Sequence, residues 1–469
     1  MQFRKLKLTA VATIAAAVST LGASGVAHAK ATPEEAAKLG KNGTTCMGAE
    51  KAGTPSGVAE WTGKWVGPAP GMHTEPGKFL PDPYASEKPL FTITAQNMAQ
   101  YADRLSDGQK AMFKKFPNSY KMNVYPSHRD FAYDDSVCKV VAKNAAEAEL
   151  SADGFSAPSA NKGGVPFPFP KSGIEAAFNG NFPTRGFVEL RDTDNAIVYA
   201  NGTVQWGALL LWELNRNNDP KLRGTKYEGV GHYGRLVQLL PEREKGAMTR
   251  TVDDFTLGKG ARLAWQYIPG NRRVRQAPDF GFDMPNPSTA GTLTIDETRL
   301  FNGSLERYNW KLLGKKEMYI PYNGYKLESP AAGESKYAKL LTPGHENPEF
   351  VRWELHRVWV IEAKLKDGYR HLYATRVLYA DEDTWQYAMS DIFDTRGNLW
   401  RFNWLNTTYV PGPNIFGQVT AFYHDLHSGN YSAYDLTQAK PKTVIVDAPG
   451  AEYANTAFYS LENLSNGGY

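Results

Sequence analysis

Four groups of residues in this chain have types and spacings that chemistry uses. Asp381, Glu382 and Asp383 place three carboxylates in a stretch of turn length. Such a set would hold Ca²⁺ or act as an acid/base group, and a charged hairpin tip explains it equally well. His424 and His427 lie three apart with Asp425 between them, the spacing of a fragment of a metal site; a polar turn before Ser428 and Gly429 is the simpler reading. Arg272, Arg273 and Arg275 would grip an anionic head group or an acidic partner, or stand solvated at a turn tip. Cys46 and Cys138 are the two cysteines of the chain. In an oxidising compartment they would pair, closing a long loop worth about 4 to 5 kcal/mol in the chain-entropy model; separate thiols are the alternative. No GxSxG elbow, GxxxxGK[ST] loop or HExxH motif occurs, so the sequence assigns no catalytic residue, no metal ligand and no cofactor.

The compartment is read from the beginning of the chain. Arg4, Lys5 and Lys7 precede an Ala-rich apolar run from Leu8 to Leu21, and Ala27-His28-Ala29 follows, which is the pattern of a signal peptide cleaved after Ala29. The run is too short to span a bilayer. A soluble, exported and most simply periplasmic protein is expected. The 469-residue chain is formally +4; without the three cations of the signal it is +1, which gives no electrostatic case for nucleic acid.

The elements that must position these groups divide the chain unevenly. Residues 30–91, rich in Gly and Pro with Trp61 and Trp65 as isolated anchors, read as an extended arm that needs a docking surface. Residues 92–150 read as a helical segment. Thr94 caps a first helix carrying Met98, Tyr101 and Leu105. Ser106 and Gln109 have capping-box spacing for a second, and Val137, Val140, Val141 and Ala145 stripe a third. Residues 151–172 end in GVPFPFP, a stiff connector on the domain surface. From residue 173 onward a short helix around Ile174–Phe178 leads into strands.

Those strands form an antiparallel meander with tight turns. Asn201-Gly202 is the strongest hairpin cue. Pro269-Gly270-Asn271 turns a second hairpin, with Trp265 and Tyr267 on one face and Arg273 and Arg275 returning. Later strands run over His356–Leu365, Arg370–Ala380, Trp385–Phe393 and Leu399–Thr407. They place Trp359, Tyr379, Trp385, Tyr387, Met389, Trp400, Phe402 and Trp404 on one side. An apolar sheet face is either a solid core or the wall of a hydrophobic cavity.

Several runs together resemble the DUF1329 family of exported bacterial proteins: DPY at Asp82–Tyr84, EKPLFTIT at Glu87–Thr94, YPSHR at Tyr125–Arg129 and GVPFPFP at Gly164–Pro170. Further matches are Trp265–Pro278, Asp283–Ser288, FNG at Phe301–Gly303, GKKEMYIPYN at Gly314–Asn323, RVWVIE at Arg357–Glu362 and YADEDTW at Tyr379–Trp385. The family is distantly similar to the LolA/LolB lipoprotein carriers. The resemblance implies an α+β, mainly β fold: a large, open, incomplete antiparallel β-barrel over residues 173–469, with the helical N-terminal segment packed against it. It also implies a hydrophobic cargo, with an RND-type exporter and an outer-membrane protein as partners.

The expected function is a periplasmic carrier for a lipid or other hydrophobic small molecule. Trp265, Tyr267, Trp359, Tyr379, Trp385, Tyr387, Met389, Trp400, Phe402 and Trp404 would line its cavity, with Arg273 and Arg275 at the rim. The alternatives are an enzyme acting on an envelope lipid or glycan, and a structural adaptor with a filled core.

Overall fold

The computed structural model describes residues 30–466, apart from 42, 68–78, 259–261, 278–282, 287–288, 290, 441–444 and 447–449. The signal-peptide expectation therefore lies outside the described residues. No described helix is long and apolar enough to cross a membrane.

Strands β1 (Phe91–Ile93), β2 (Met122–Val124), β3 (Val188–Val198), β4 (Val204–Asn215), β5 (Val230–Leu240), β6 (Met248–Asp254), β7 (Arg262–Ile268) and β8 (Arg273–Gln276) come first. They are followed by β9 (Tyr308–Pro321), β10 (Trp353–Leu365), β11 (Thr375–Asp381), β12 (Tyr387–Phe393), β13 (Leu399–Val410), β14 (Ile415–Asp425), β15 (Tyr431–Leu436) and β16 (Ile445–Val446). All sixteen belong to one sheet, in the order β1-β2-β10-β11-β12-β13-β14-β15-β3-β4-β5-β6-β7-β8, with β9 alongside β10 and β16 beside β3. Pairing is antiparallel except where β2 meets β10 at Val124 and Trp353. Among the described residues β8 and β1 end the path without pairing, so the sheet stays open.

Local chemistry sets these boundaries. Gly202, at φ 85°, makes the β3–β4 turn, and the Asn201 side chain accepts from the Thr203 amide at 3.0 Å. At the tip of the β7–β8 hairpin Arg272 takes φ 51°, and the register sets Gln266 opposite Arg275 and Ile268 opposite Arg273.

The helices are α1 (Pro33–Lys38), α2 (Asp107–Lys115), α3 (Asp135–Glu147), α4 (Gly173–Asn181), α5 (Pro330–Tyr337, broken at Glu334–Lys336) and α6 (Leu461–Asn466). Helix α2 has the capping box read from Ser106 and Gln109, and α3 buries Val137, Val140, Val141 and Ala145. The first expected helix is a 3₁₀ segment over Met98–Arg104. Residues 92–150 are not purely helical, because β1 and β2 lie among the helices and extend the sheet.

The GVPFPFP connector corrects the surface reading. Val165 and Phe167 are buried, and two asparagines satisfy the backbone that proline leaves unpaired. Asn144 Nδ2 donates to the Val165 carbonyl at 3.1 Å; Asn179 Nδ2 donates to the Phe167 carbonyl, and its Oδ1 accepts from the Phe167 amide. The arm is ordered in the same way, by docking: Trp61 packs on Phe131 and Tyr133, and Trp65 on Tyr325 and Tyr409. Cys46 on the arm is joined to Cys138 on α3.

Two large cores cover the two faces of the β10–β14 meander. One holds Met112, Phe113, Tyr379, Met389, Phe402, Trp404 and Phe422; the other holds Val141, Phe178, Trp385, Tyr387, Leu405 and Tyr423.

Candidate functional site

Past β15 the second of these faces is no longer filled. A cavity of 1090 Å³ lies over β3–β7, bordered also by residues from the 283–307 segment. Alternate residues of each strand line it, as the pleat requires: Leu211, Glu213 and Asn215 on β4; His232, Gly234 and Leu236 on β5; Thr249, Thr251 and Asp253 on β6.

Register sorts the lining into rows. Leu211 pairs with Leu236, and Leu236 with Thr249. One row on, Glu213 pairs with Gly234, which pairs with Thr251; then Asn215 pairs with His232, and His232 with Asp253. Along β4, β5 and β6 the lining passes from leucine to charge; on the strands beside them Arg191, opposite Leu211, and Gln266, opposite Thr249, add polar groups to the leucine row. Gly234 keeps the middle open, since a Cβ there would lie 2.6 Å from Thr251 Oγ1. Tyr267 and Ile268 border the cavity from β7.

The charged end is a closed network. His232 Nε2 lies 3.2 Å from Glu213 Oε1 and its Nδ1 3.2 Å from Asp253 Oδ2. Arg262 grips Asp253 at 2.7 and 2.9 Å, and Arg299 pairs with Glu213. Burial opposes ionisation of the His232 ring, but the bonds to Asp253 and Glu213 outweigh it and raise its pKa above 6.5. Burial likewise opposes the Glu213 carboxylate, yet His232, Arg185 and Arg191 bring its pKa down to about 2. This arrangement can bind a long apolar group at one end and a polar head at the other.

The nine aromatic residues and Met389 singled out in the sequence do not share one face. Tyr267 borders the cavity; the other nine do not. Trp265 packs beneath the Arg250 guanidinium, 4.4 Å from its ring centre. Tyr379, Met389, Phe402 and Trp404 fill one core, whereas Trp359, Trp385 and Tyr387 belong to the other. Helix α4 covers Tyr387, whose hydroxyl donates to the Ala177 carbonyl at 3.3 Å, and the arm covers Trp385, whose Nε1 donates to the Met47 carbonyl at 3.1 Å. Trp400 is half-buried against Tyr373 and His427. The cause is the period of two: neighbours such as Trp385 and the strand residues beyond a bulge cannot all point one way. Arg273 and Arg275 are exposed, opposite the cavity-lining Ile268 and Gln266.

The two histidines also separate. His424 is buried, with Nε2 2.7 Å from Glu346 Oε2, while His427 stacks on Trp400.

The carboxylates of the 381–383 turn overturn the expectation of a solvated tip: all three are buried. Arg129 donates to both Asp383 oxygens at 2.7 Å, and Glu382 is held by Arg357 and by Lys315, with Lys315 Nζ at 3.0 Å. Asp381 Oδ2 accepts from the Thr384 amide and hydroxyl, while Oδ1 has no hydrogen-bond partner. Burial, then the neighbouring Asp383 charge, pushes the Asp381 carboxyl well above the usual carboxylate range. Asp381, Asp383 and His356 offer ligand atoms all within 4.8 Å of one another. Arginines 129 and 357, scattered in sequence, were the missing signal; Arg129 and Arg357 each fall inside a run that the family resemblance had picked out.

Comparison with known proteins gives relatives rather than a chemistry. An uncharacterized protein of Pseudomonas aeruginosa, PA3922, is 39% identical over 409 residues, covering 86% of this chain and 87% of that protein. A DUF1329 family protein from Desulfovibrio piger, solved by crystallography, is similar over 60% of this chain and 92% of its own, at 13% identity and a TM-score of 0.39. The LolA superfamily protein NE2245 from Nitrosomonas europaea is similar over 56% of this chain and 88% of its own, at 11% identity and a TM-score of 0.32. Those two scores are too low to carry an argument about fold or function. The family model of the proteins of unknown function DUF1329 matches residues 92–465, and with the 39% identity to the Pseudomonas protein it shows that the chain belongs to the DUF1329 family.

Proposed function

We propose that this protein is an exported, periplasmic binding protein that carries an amphipathic hydrophobic molecule, a lipid or a compound like one, in the cavity over β3–β7. The observation that carries this reading is the 1090 Å³ cavity over β3–β7, where leucines on β4 and β5 share the lining with the Glu213–His232–Asp253 network. Apolar burial holds the tail at roughly 25 cal/mol per Å². The charged network, already paired, fixes the head by hydrogen bonding without leaving a buried charge unpaired. Arg273 and Arg275 form a rim beside the opening, suited to an anionic head group or to the acidic surface of a partner. An RND-type exporter and an outer-membrane protein are the partners this role calls for. Release follows when a partner offers a competing site or deforms the sheet.

The test is extraction and native mass spectrometry of protein purified from the periplasm, with displacement of a fluorescent fatty acid as a binding assay. A co-purifying hydrophobic compound is expected, and Leu236→Trp, which sets an indole into the leucine row of the lining, weakens probe binding while the far-UV circular dichroism is unchanged. No extractable compound, together with no probe binding by the wild type, would end the carrier reading.

A further inference from the structure

We propose that His356, Asp381 and Asp383 form a binding site for a single divalent transition-metal ion, of the Zn²⁺ or Mn²⁺ class, buried beneath the N-terminal arm. Three ligand atoms within 4.8 Å of one another, one imidazole nitrogen and two carboxylate oxygens, are a set that such an ion takes. Ca²⁺ and Mg²⁺ fit it poorly, because they favour six or more oxygen ligands and have little use for imidazole.

Two further observations point inward to a ligand. The Tyr322 hydroxyl, on a residue 2% exposed, has no hydrogen-bond partner among the described residues. Its ring stacks on His356 at 3.9 Å. Asp381 Oδ1, equally enclosed, has none either. A buried hydroxyl on the residue stacked on His356 and a buried carboxylate oxygen of Asp381 are thus left without partners among the described residues, a deficit that a bound ligand would restore.

The surroundings are those of a supported metal centre. Each of the three ligands has a partner that fixes its orientation. Glu354 Oε2 lies 3.0 Å from His356 Nε2, which leaves Nδ1 as the ring atom for the ion. Arg129 donates to both oxygens of Asp383, each of which retains a second lone pair. Thr384 donates twice to Asp381 Oδ2 and leaves Oδ1 free. The charges agree as well: Arg129 offsets Asp383, and Arg357 with Lys315 offsets Glu382, but among the described residues no cation contacts Asp381.

The ion would tie β10 to the β11–β12 turn. It would also stiffen the platform on which the arm docks, because Arg129 and Arg357 donate to the arm carbonyls of Lys51, Ala59, Ala52 and Glu50.

The experiment uses the full mature chain without an affinity tag, measured as purified without chelator and again after EDTA treatment and overnight equilibration with Zn²⁺ or Mn²⁺. Elemental analysis is expected to give one transition-metal ion per chain in at least one preparation, and thermal melting is expected to rise with metal concentration as ligand linkage requires. Asp381→Asn keeps the Thr384 contacts and removes the ligand. It should lose more affinity than the roughly 10–100-fold cost of losing a supporting partner, while melting in EDTA at the temperature of the EDTA-treated wild type. Mg²⁺ and Ca²⁺ at equal concentration should leave the melting temperature unchanged. Sub-stoichiometric metal in both preparations with no metal-dependent melting shift overturns the site. Undiminished binding in Asp381→Asn overturns it as well.

Discussion

The two halves of the sheet share one antiparallel pairing scheme and finish their faces differently. On β13 every residue from Arg401 to Val410 is buried, because α2 and Trp65 of the arm lie on one side and the 293–301 segment on the other. On β5, His232 and Leu236 remain half-exposed above open space. The filled half is the one dense in Trp and Tyr; the open half presents leucine, glycine, threonine and charge. Aromatic density in this chain therefore marks where sheet meets helix, and the ligand-sized volume lies where side chains are smaller.

The comparison breaks most visibly at Trp404, which is fully buried between Trp353 and Phe422. Trp404→Ala is expected to destabilise by about 3–5 kcal/mol in chemical denaturation; a loss under about 1 kcal/mol would mean that this half is not a filled core. Next comes the staple on the arm. Cys138→Ser opens the Cys46–Cys138 link across 92 residues and should cost about 2–4 kcal/mol, read as a lower denaturation midpoint.

In the open half the expected effects are smaller and depend on pH. His232 has a raised pKa, so its charged ring contributes stability in full below its ordinary value of 6.5 and loses that contribution as pH rises through the raised value. His232→Gln should flatten the decline in melting temperature from pH 6.5 upward; an unchanged slope would detach the ring from Glu213 and Asp253. Smallest of all, replacing Arg273 and Arg275 together by alanine should shift stability by no more than about 0.5 kcal/mol, because both are exposed, while weakening probe or partner binding. Equal binding by that double variant would return the tip to plain solvent.

Much of the fold was legible because its signals are local. The Ser106–Gln109 box, the Asn201-Gly202 turn and the α3 stripe depend on neighbours within four residues, and each lies where the spacing predicts. The GVPFPFP connector misled because its burial depends on Asn144 and Asn179, whose side chains replace the missing ladder. The 381–383 turn misled for the same reason at longer range: Arg129 lies more than two hundred and fifty residues before Asp383, as the 254-residue separation of their bond shows. Of the residues named from the sequence, Tyr267 borders the cavity, and Arg273 and Arg275 stand exposed across the hairpin from the lining residues Ile268 and Gln266. The leucine-to-charge gradient needs the register of β4, β5 and β6, which no single strand encodes.

The meeting of β15 with β3 has a consequence for the order of assembly. Strands β3–β8 form one run of neighbours in sequence and β10–β15 another, so each can zip from its own hairpins as it is made. The two are stitched together by Tyr431–Ala433 against Ala196–Val198, with a bulge before Leu436 reaches Asp194. That stitch spans more than two hundred residues of chain and waits on one of the last strands to be synthesised. A chain cut shortly before Tyr431 would hold two separate ribbons, each with a naked edge, where the whole protein has a single continuous wall.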